Sequence, residues 1–159
     1  MHSKALIAEH EGRIVVLGGW SATMADHVAF YEGLGALAEL EAEPKPGARP
    51  KAKDRPKARP AVIAMNLDGA VAVKDKVLPL IRKVEPAFAN CVFNGEQMML
   101  TAVVDPEWAG IVPAVWIYDR KGALRASFYG AGALDKAKAK LEQMLTRRGR
   151  GKRRRPEGE

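Results

Sequence analysis

The chain has 159 residues, 47% of them apolar, and a formal net charge of +7, which suits one domain with its own hydrophobic core. Its single cysteine, Cys91, excludes an internal disulfide and any paired-cysteine zinc cluster. No apolar run reaches the roughly 18 residues of a membrane-spanning helix, and the start "MHSKALIAEHEG" lacks the basic-then-apolar pattern of a secretory signal.

The charge is concentrated in two places. Residues 44–60, "PKPGARPKAKDRPKARP", carry seven Lys/Arg against one Asp, and residues 147–159, "RRGRGKRRRPEGE", carry seven against two Glu. These segments hold +11 of a total of +7, so the remaining residues are net −4. The first has five prolines in 17 residues and no large apolar side chain, so a loop with extended stretches is predicted. The second follows the last predicted helix and reads as a disordered tail. Each is either a solvated appendage or a binder of phosphate backbones and anionic surfaces.

In chain order, "RIVVLGG" (13–19) is a continuous apolar run bounded by glycines, the pattern of a buried strand. From Met24 to Glu41, apolar residues including Val28, Tyr31, Leu34 and Ala38 recur at helical spacing. The basic segment follows, then a second buried strand, "AVIAMNLD" (61–68). "DKVLPLIRKVEPAF" (75–88) is helical, with Pro79 either bending it or marking its first turn. "NCVF" (90–93) is a short strand that places Cys91 among apolar neighbours, and "GEQMMLTAVV" (95–104) is a short helix stopped by Asp105-Pro106. "AVWIYD" (114–119) and "ALRASFYG" (123–130) flank an Arg-Lys-Gly turn, a hairpin signal. "LDKAKAKLEQMLTRR" (134–148) closes the pattern as an amphipathic helix. The order β-α-β-α-β-α-β-β-α predicts an α/β domain with a central mixed sheet flanked by helices on both faces.

Four of these stretches carry a resemblance. "EGRIVVLGGWSAT", "AVIAMNLD", "DPEWAGIVPAVWIYDRKGALRASFYG" with Gly110, Pro113, Asp119 and Gly122, and the closing helix resemble the thioredoxin superfamily, in particular its TlpA-like thiol-disulfide oxidoreductase branch. The resemblance covers roughly residues 5–43 and 61–146. It implies a thioredoxin-like domain over 1–146 with the basic insertion at 44–60, the tail at 147–159, and often an extracytoplasmic setting.

The resemblance also locates a departure. With Trp20 on the family's motif tryptophan, the positions of the Cys-x-x-Cys pair hold Met24 and His27. Dithiol exchange needs a thiolate at a helix N-terminus, where the pKa falls from about 8.5 to roughly 3.5–7.5, and a second thiol to resolve the mixed disulfide. A thioether has no proton to lose, and an imidazole resolves nothing. The family's activity is therefore not expected here, and no catalytic residue, metal or cofactor is assigned.

What the resemblance leaves is a surface. The family's proline opposite the active site, with the residue before it, helps hold an extended substrate, so Trp20, Met24, Ala25, Val112 and Pro113 form a candidate peptide-binding groove without chemistry. Other readings of the stretch are weaker. Met24 and His27, three apart at a helix start, present a thioether and an imidazole suited to soft copper(I), but with His2 and His10 unplaced they make no site. Asp26 and His27 are helix neighbours that do not face each other, and Ser21 and Thr23 read as helix caps. "GLGALAEL" lies inside a helix pattern, so it is no phosphate loop. The expected role is a redox-inactive protein-binding or scaffolding module. The alternatives are a nucleic-acid or anionic-surface binder through the basic segments, or a member of a thiol-disulfide oxidoreductase lineage with atypical or lost activity.

Overall fold

A computed structural model describes residues 7–41, 59–86, 88–93 and 104–146. Residues 44–58 of the basic insertion, the tail at 147–159, residues 95–103 of the expected third helix, and His2 lie outside the described residues.

Five strands form one mixed sheet: β1 (Val15–Trp20), β2 (Ala61–Asn66), β3 (Ala89–Val92), β4 (Ala114–Tyr118) and β5 (Leu124–Tyr129), in the order β3-β2-β1-β4-β5. β1 pairs parallel to β2 from Val15↔Ala61 to Trp20↔Asn66, and antiparallel to β4 from Val15↔Tyr118 to Gly19↔Ala114. β2 pairs parallel to β3, and β4 antiparallel to β5. Parallel neighbours need a crossover, which the α1 (His27–Ala38) and α2 (Leu78–Val84) connections supply. The tight β4–β5 turn is closed by Asp119, which accepts from the Lys121 and Ala123 amides, with Gly122 at φ +86. A side chain at that positive φ would be strained.

Burial alternates along the central strands. Val16 and Trp20 of β1 face one way with Val62, Ala64, Val115 and Ile117, and against them pack α1 (Phe30, Tyr31, Leu34, Leu37), α2 (Leu80) and α3 (Ala133–Thr146; Ala137, Leu141, Leu145). Val15 and Leu17 face the other way with Ile63, Met65 and Trp116, covered among the described residues by Ile7, Val104 and Trp108. Both faces are thus buried, which explains why β1 and β2 read as continuous apolar runs rather than alternating ones. The three described helices share the first face.

Two glycines set how closely α1 packs. A Cβ at Gly18 would meet Leu34 at 2.8 Å, and one at Gly33 would meet Leu134 at 2.2 Å. The first lets the helix approach the sheet, and the second lets α1 and α3 approach each other. The crossover after β2 begins with a 3-10 turn (Ala70–Ala72) and a π turn (Val73–Val77), so Pro79 sits in the first turn of α2, where its missing N–H costs nothing. Cys91 differs from the expected core thiol. β3 is an edge strand with exposed Ala89 and Asn90, and Cys91 is only half-buried.

Candidate functional site

The carboxyl end of β1 runs into Ser21–Asp26, and the amino end of β4 is entered from Ile111–Pro113. Because Gly19 pairs with Ala114, the two loops leave the sheet side by side at one end. The Val112–Pro113 peptide bond is cis.

Trp20 anchors the first loop from below. It is fully buried, with its ring 6.2 Å from the His27 ring at 5° and 5.4 Å from Tyr31 at 56°. This corrects its assignment to the groove: a residue with no exposed surface supports the face without touching a ligand. Met24 is half-buried against the helix-side core, while Ala25 and Asp26 are exposed. These residues and Val112, itself packed against the opposite core, occupy one end of the sheet.

The helix begins later than its apolar spacing suggests. Asp26 adopts a left-handed conformation (φ 57°, ψ 27°) and its carbonyl accepts from the Phe30 amide, so α1 starts at His27. Met24 therefore sits in a turn ahead of the helix, and Met24 and His27 are not successive rungs on one helical face. The expected caps also differ. Asp26 occupies the N-cap with no side-chain cap hydrogen bond, and Ser21 and Thr23 bond elsewhere.

Ser21 bonds Asp68, beyond the end of β2, while Thr23 Oγ1 bonds Ser21 Oγ at 2.7 Å. Ser21 Oγ donates to Asp68 Oδ1 at 2.5 Å, the Ala22 amide donates to Oδ2 at 2.7 Å, and Asn66 Nδ2 donates to Oδ2 at 3.1 Å. Asn66 Oδ1 in turn accepts from the Asp68 amide at 2.9 Å, and Ser21 Oγ from the Thr23 amide at 3.1 Å. Burial pushes the Asp68 pKa up, but the hydrogen bonds from Ser21, Ala22 and Asn66 and the charge of Lys76 outweigh it, and the carboxyl is held below its ordinary value. The clamp ties the β1 loop to the β2 loop. The sequence signal was the Asn-Leu-Asp ending of the strand, whose role only the parallel register reveals.

A second network supports the other loop. Asp105, 5% exposed, accepts from the Trp116 indole at 3.2 Å, from the Tyr129 hydroxyl and from the Glu107 amide at 3.0 Å. Trp108 packs edge-on to Trp116 at 5.5 Å and donates its indole N–H to the Ile111 carbonyl at 2.9 Å. Burial, then the Asp105 charge, pushes the Tyr118 hydroxyl pKa well above its ordinary value. The loop so held carries Ile111 at 50% exposure, the most exposed large apolar side chain among the described residues. Among those residues, no hydrogen bond engages the Val112 amide or carbonyl.

Cys91 does not join this end chemically. It lies opposite Met65 on β2, which lies opposite Gly19 on β1, so two strand spacings, roughly 10 Å, separate it from β1. It also packs on the face away from Trp20, and burial pushes its thiol pKa up. Among the described residues no group of three metal-ligating side chains occurs, and no helix is long and apolar enough to cross a membrane.

No protein-family model and no curated protein sequence matches the chain. Solved structures do. A secreted thiol-disulfide isomerase from Corynebacterium glutamicum aligns with a TM-score of 0.64 at 13% identity, over 87% of this chain and 74% of that one. A DsbF homologue from Corynebacterium diphtheriae aligns at 0.59 and 15% identity, over 85% and 73%. A secreted Mycobacterium tuberculosis disulfide oxidoreductase homologous to E. coli DsbE aligns at 0.54 and 16% identity, over 84% of both chains. The mixed sheet, its strand order and the two loops at the end of β1 thus belong to a thioredoxin-like fold, the fold of these thiol-disulfide oxidoreductases.

Proposed function

We propose that this chain is a redox-inactive thioredoxin-like domain that binds an extended, apolar protein segment at the end of the sheet where Met24, Ala25 and Ile111–Pro113 lie. The observation that carries the reading is the exposed Ile111 beside a Val112 backbone that makes no hydrogen bond among the described residues. An extended segment pairing with Val112 gains main-chain hydrogen bonds, and its alternate side chains meet Ile111 and Met24, the logic of strand addition. Met24 suits such a surface because its flexible thioether adapts to different partners. The supports beneath, Asp68 for one loop and Asp105 with Trp108 for the other, hold the face in shape before any ligand arrives. That lowers the ordering entropy of binding.

The same residues argue against dithiol exchange. Position 24 offers no thiolate, position 27 no resolving thiol, and Cys91 stands two strands away with a thiol kept protonated by burial. The test is fluorescence anisotropy with labelled extended peptides that alternate apolar and polar residues. Ile111→Glu and Met24→Glu are expected to abolish binding, with little dependence on salt. Peptide binding that survives both substitutions removes the reading.

A further inference from the structure

Four of the described residues carry sulfur, Met24, Met65, Cys91 and Met144, and the fold places them very differently. Met65 is 4% exposed on β2, with its side chain in the core on the face away from α1. Cys91 is half-buried against that same core, and burial pushes its thiol pKa up, which keeps it in the slowly oxidised, protonated form. Met144 of α3 is half-buried and lies with Ile14 and Leu124, at the end of the domain where β1 and β5 begin.

Met24 combines access with a place on the proposed binding face. It is half-buried, and its neighbours Thr23, Ala25 and Asp26 are exposed. Its amide donates to the Ser21 carbonyl at 3.2 Å in a turn that ends before α1 starts at His27. Among the described residues, the helical bond from the Phe30 amide to the Asp26 carbonyl and the bonds from Ser21, Ala22 and Asn66 to Asp68 all bypass it. A chemical change at the Met24 side chain therefore alters the apolar face while the helix start and the Asp68 clamp stay in place.

We propose that Met24 is a reversible oxidation site whose sulfoxide closes this face to its apolar partner. The closing of the face rests on the peptide-binding reading; the modification does not. A hydroperoxide transfers its terminal oxygen to Sδ: the O–O bond breaks, an S–O bond forms, and the sulfur is oxidised by two electrons. The peroxide is reduced to water or an alcohol. The product carries an acceptor oxygen where an extended ligand meets apolar surface, and burying that oxygen without a donor is penalised. The adaptable apolar fit of the thioether is lost as well. Methionine sulfoxide reductase restores it, with two thiols supplying the electrons and leaving as a disulfide and water. This chemistry asks for no thiolate and no resolving thiol in the chain, the two groups that positions 24 and 27 lack.

The test treats the full chain with hydrogen peroxide under native conditions and follows oxidation by mass after trypsin, which puts Met24, Met65 and Met144 in separate fragments. Met24 is expected to oxidise several-fold faster than the buried Met65. As it does, affinity for the labelled extended peptides is expected to fall about tenfold and to recover with methionine sulfoxide reductase and dithiothreitol. Met24→Leu is expected to hold its own starting affinity through the same treatment, and Met144→Leu to lose affinity as wild type does. A thermal melt of the oxidised chain checks that the fold persists. Equal oxidation of Met24 and Met65, an affinity unchanged by full conversion of Met24, or an equal loss in Met24→Leu overturns the inference. An untreated chain that binds none of the peptides instead removes the peptide-binding reading, and with it the closing of the face, while the order of oxidation still decides the modification site.

Discussion

Asp68→Asn is the sharpest probe of how the loop after β1 is held. The wild-type carboxylate accepts from Ser21 Oγ, the Ala22 amide and Asn66 Nδ2. Asparagine keeps one oxygen and turns an amino group toward a site lined with donors. Hydrogen bonds to a charged group contribute about 1.5–3 kcal/mol each when buried, but Asp68 is half-exposed and solvent screens part of this. A net loss of about 1–2 kcal/mol follows, roughly 2–8 °C in Tm for a domain of this size. The pH dependence has a definite sign. The folded-state pKa of Asp68 is depressed, so its stabilisation is fully present above the unfolded value near 3.9 and is lost as pH falls through the folded value. Thermal melts from pH 7 down to pH 3 and below are therefore expected to show the gap between wild type and Asp68→Asn narrowing only below about pH 4. A variant as stable as wild type at pH 7, or a gap that stays constant into acid, refutes the clamp.

Two further substitutions test the packing and the helix start. Gly33→Ala gains up to about 1 kcal/mol of helix propensity, yet its methyl group meets Leu134 at 2.2 Å; overpacking of about 1–3 kcal/mol makes the change destabilising alone and neutral or stabilising in a Leu134→Ala background, as thermal melts will read. A Tm that rises with Gly33→Ala alone contradicts the close α1–α3 approach. In Met24→Cys/His27→Cys, the residue-24 thiol sits ahead of a helix that starts at His27, outside the first turn where the dipole acts. Its pKa, followed by thiolate absorbance, is expected near the free value of about 8.5, and a value below about 7.5 shows that the helix reaches it after all.

Much of this fold was legible because its strands are simple. β1 and β2 are buried on both faces, so they appear as unbroken apolar runs, and the Asp119–Gly122 turn carries the side-chain acceptor and positive-φ residue that a tight hairpin needs. The order of Trp20, Met24 and His27 along the chain does not encode their depth. Periodicity says that Trp20 belongs to a strand end, not that His27 and Tyr31 cover it. Nor does it reveal that Asp26 turns left-handed and delays the helix, because aspartate tolerates that conformation without a distinctive pattern. Cys91 read as core because its neighbours are apolar, yet strand order puts β3 at an edge. Asp68 and Asp105 act through partners 46 and 11 residues away, pairings set by register that no local pattern encodes.

We propose that the thioredoxin-like scaffold persists here without dithiol chemistry. Reduction of insulin disulfides by dithiothreitol, followed by turbidity with wild type and Cys91→Ser side by side, tests it directly. Both proteins are expected to leave the rate at that of dithiothreitol alone. An acceleration by wild type that Cys91→Ser abolishes contradicts it.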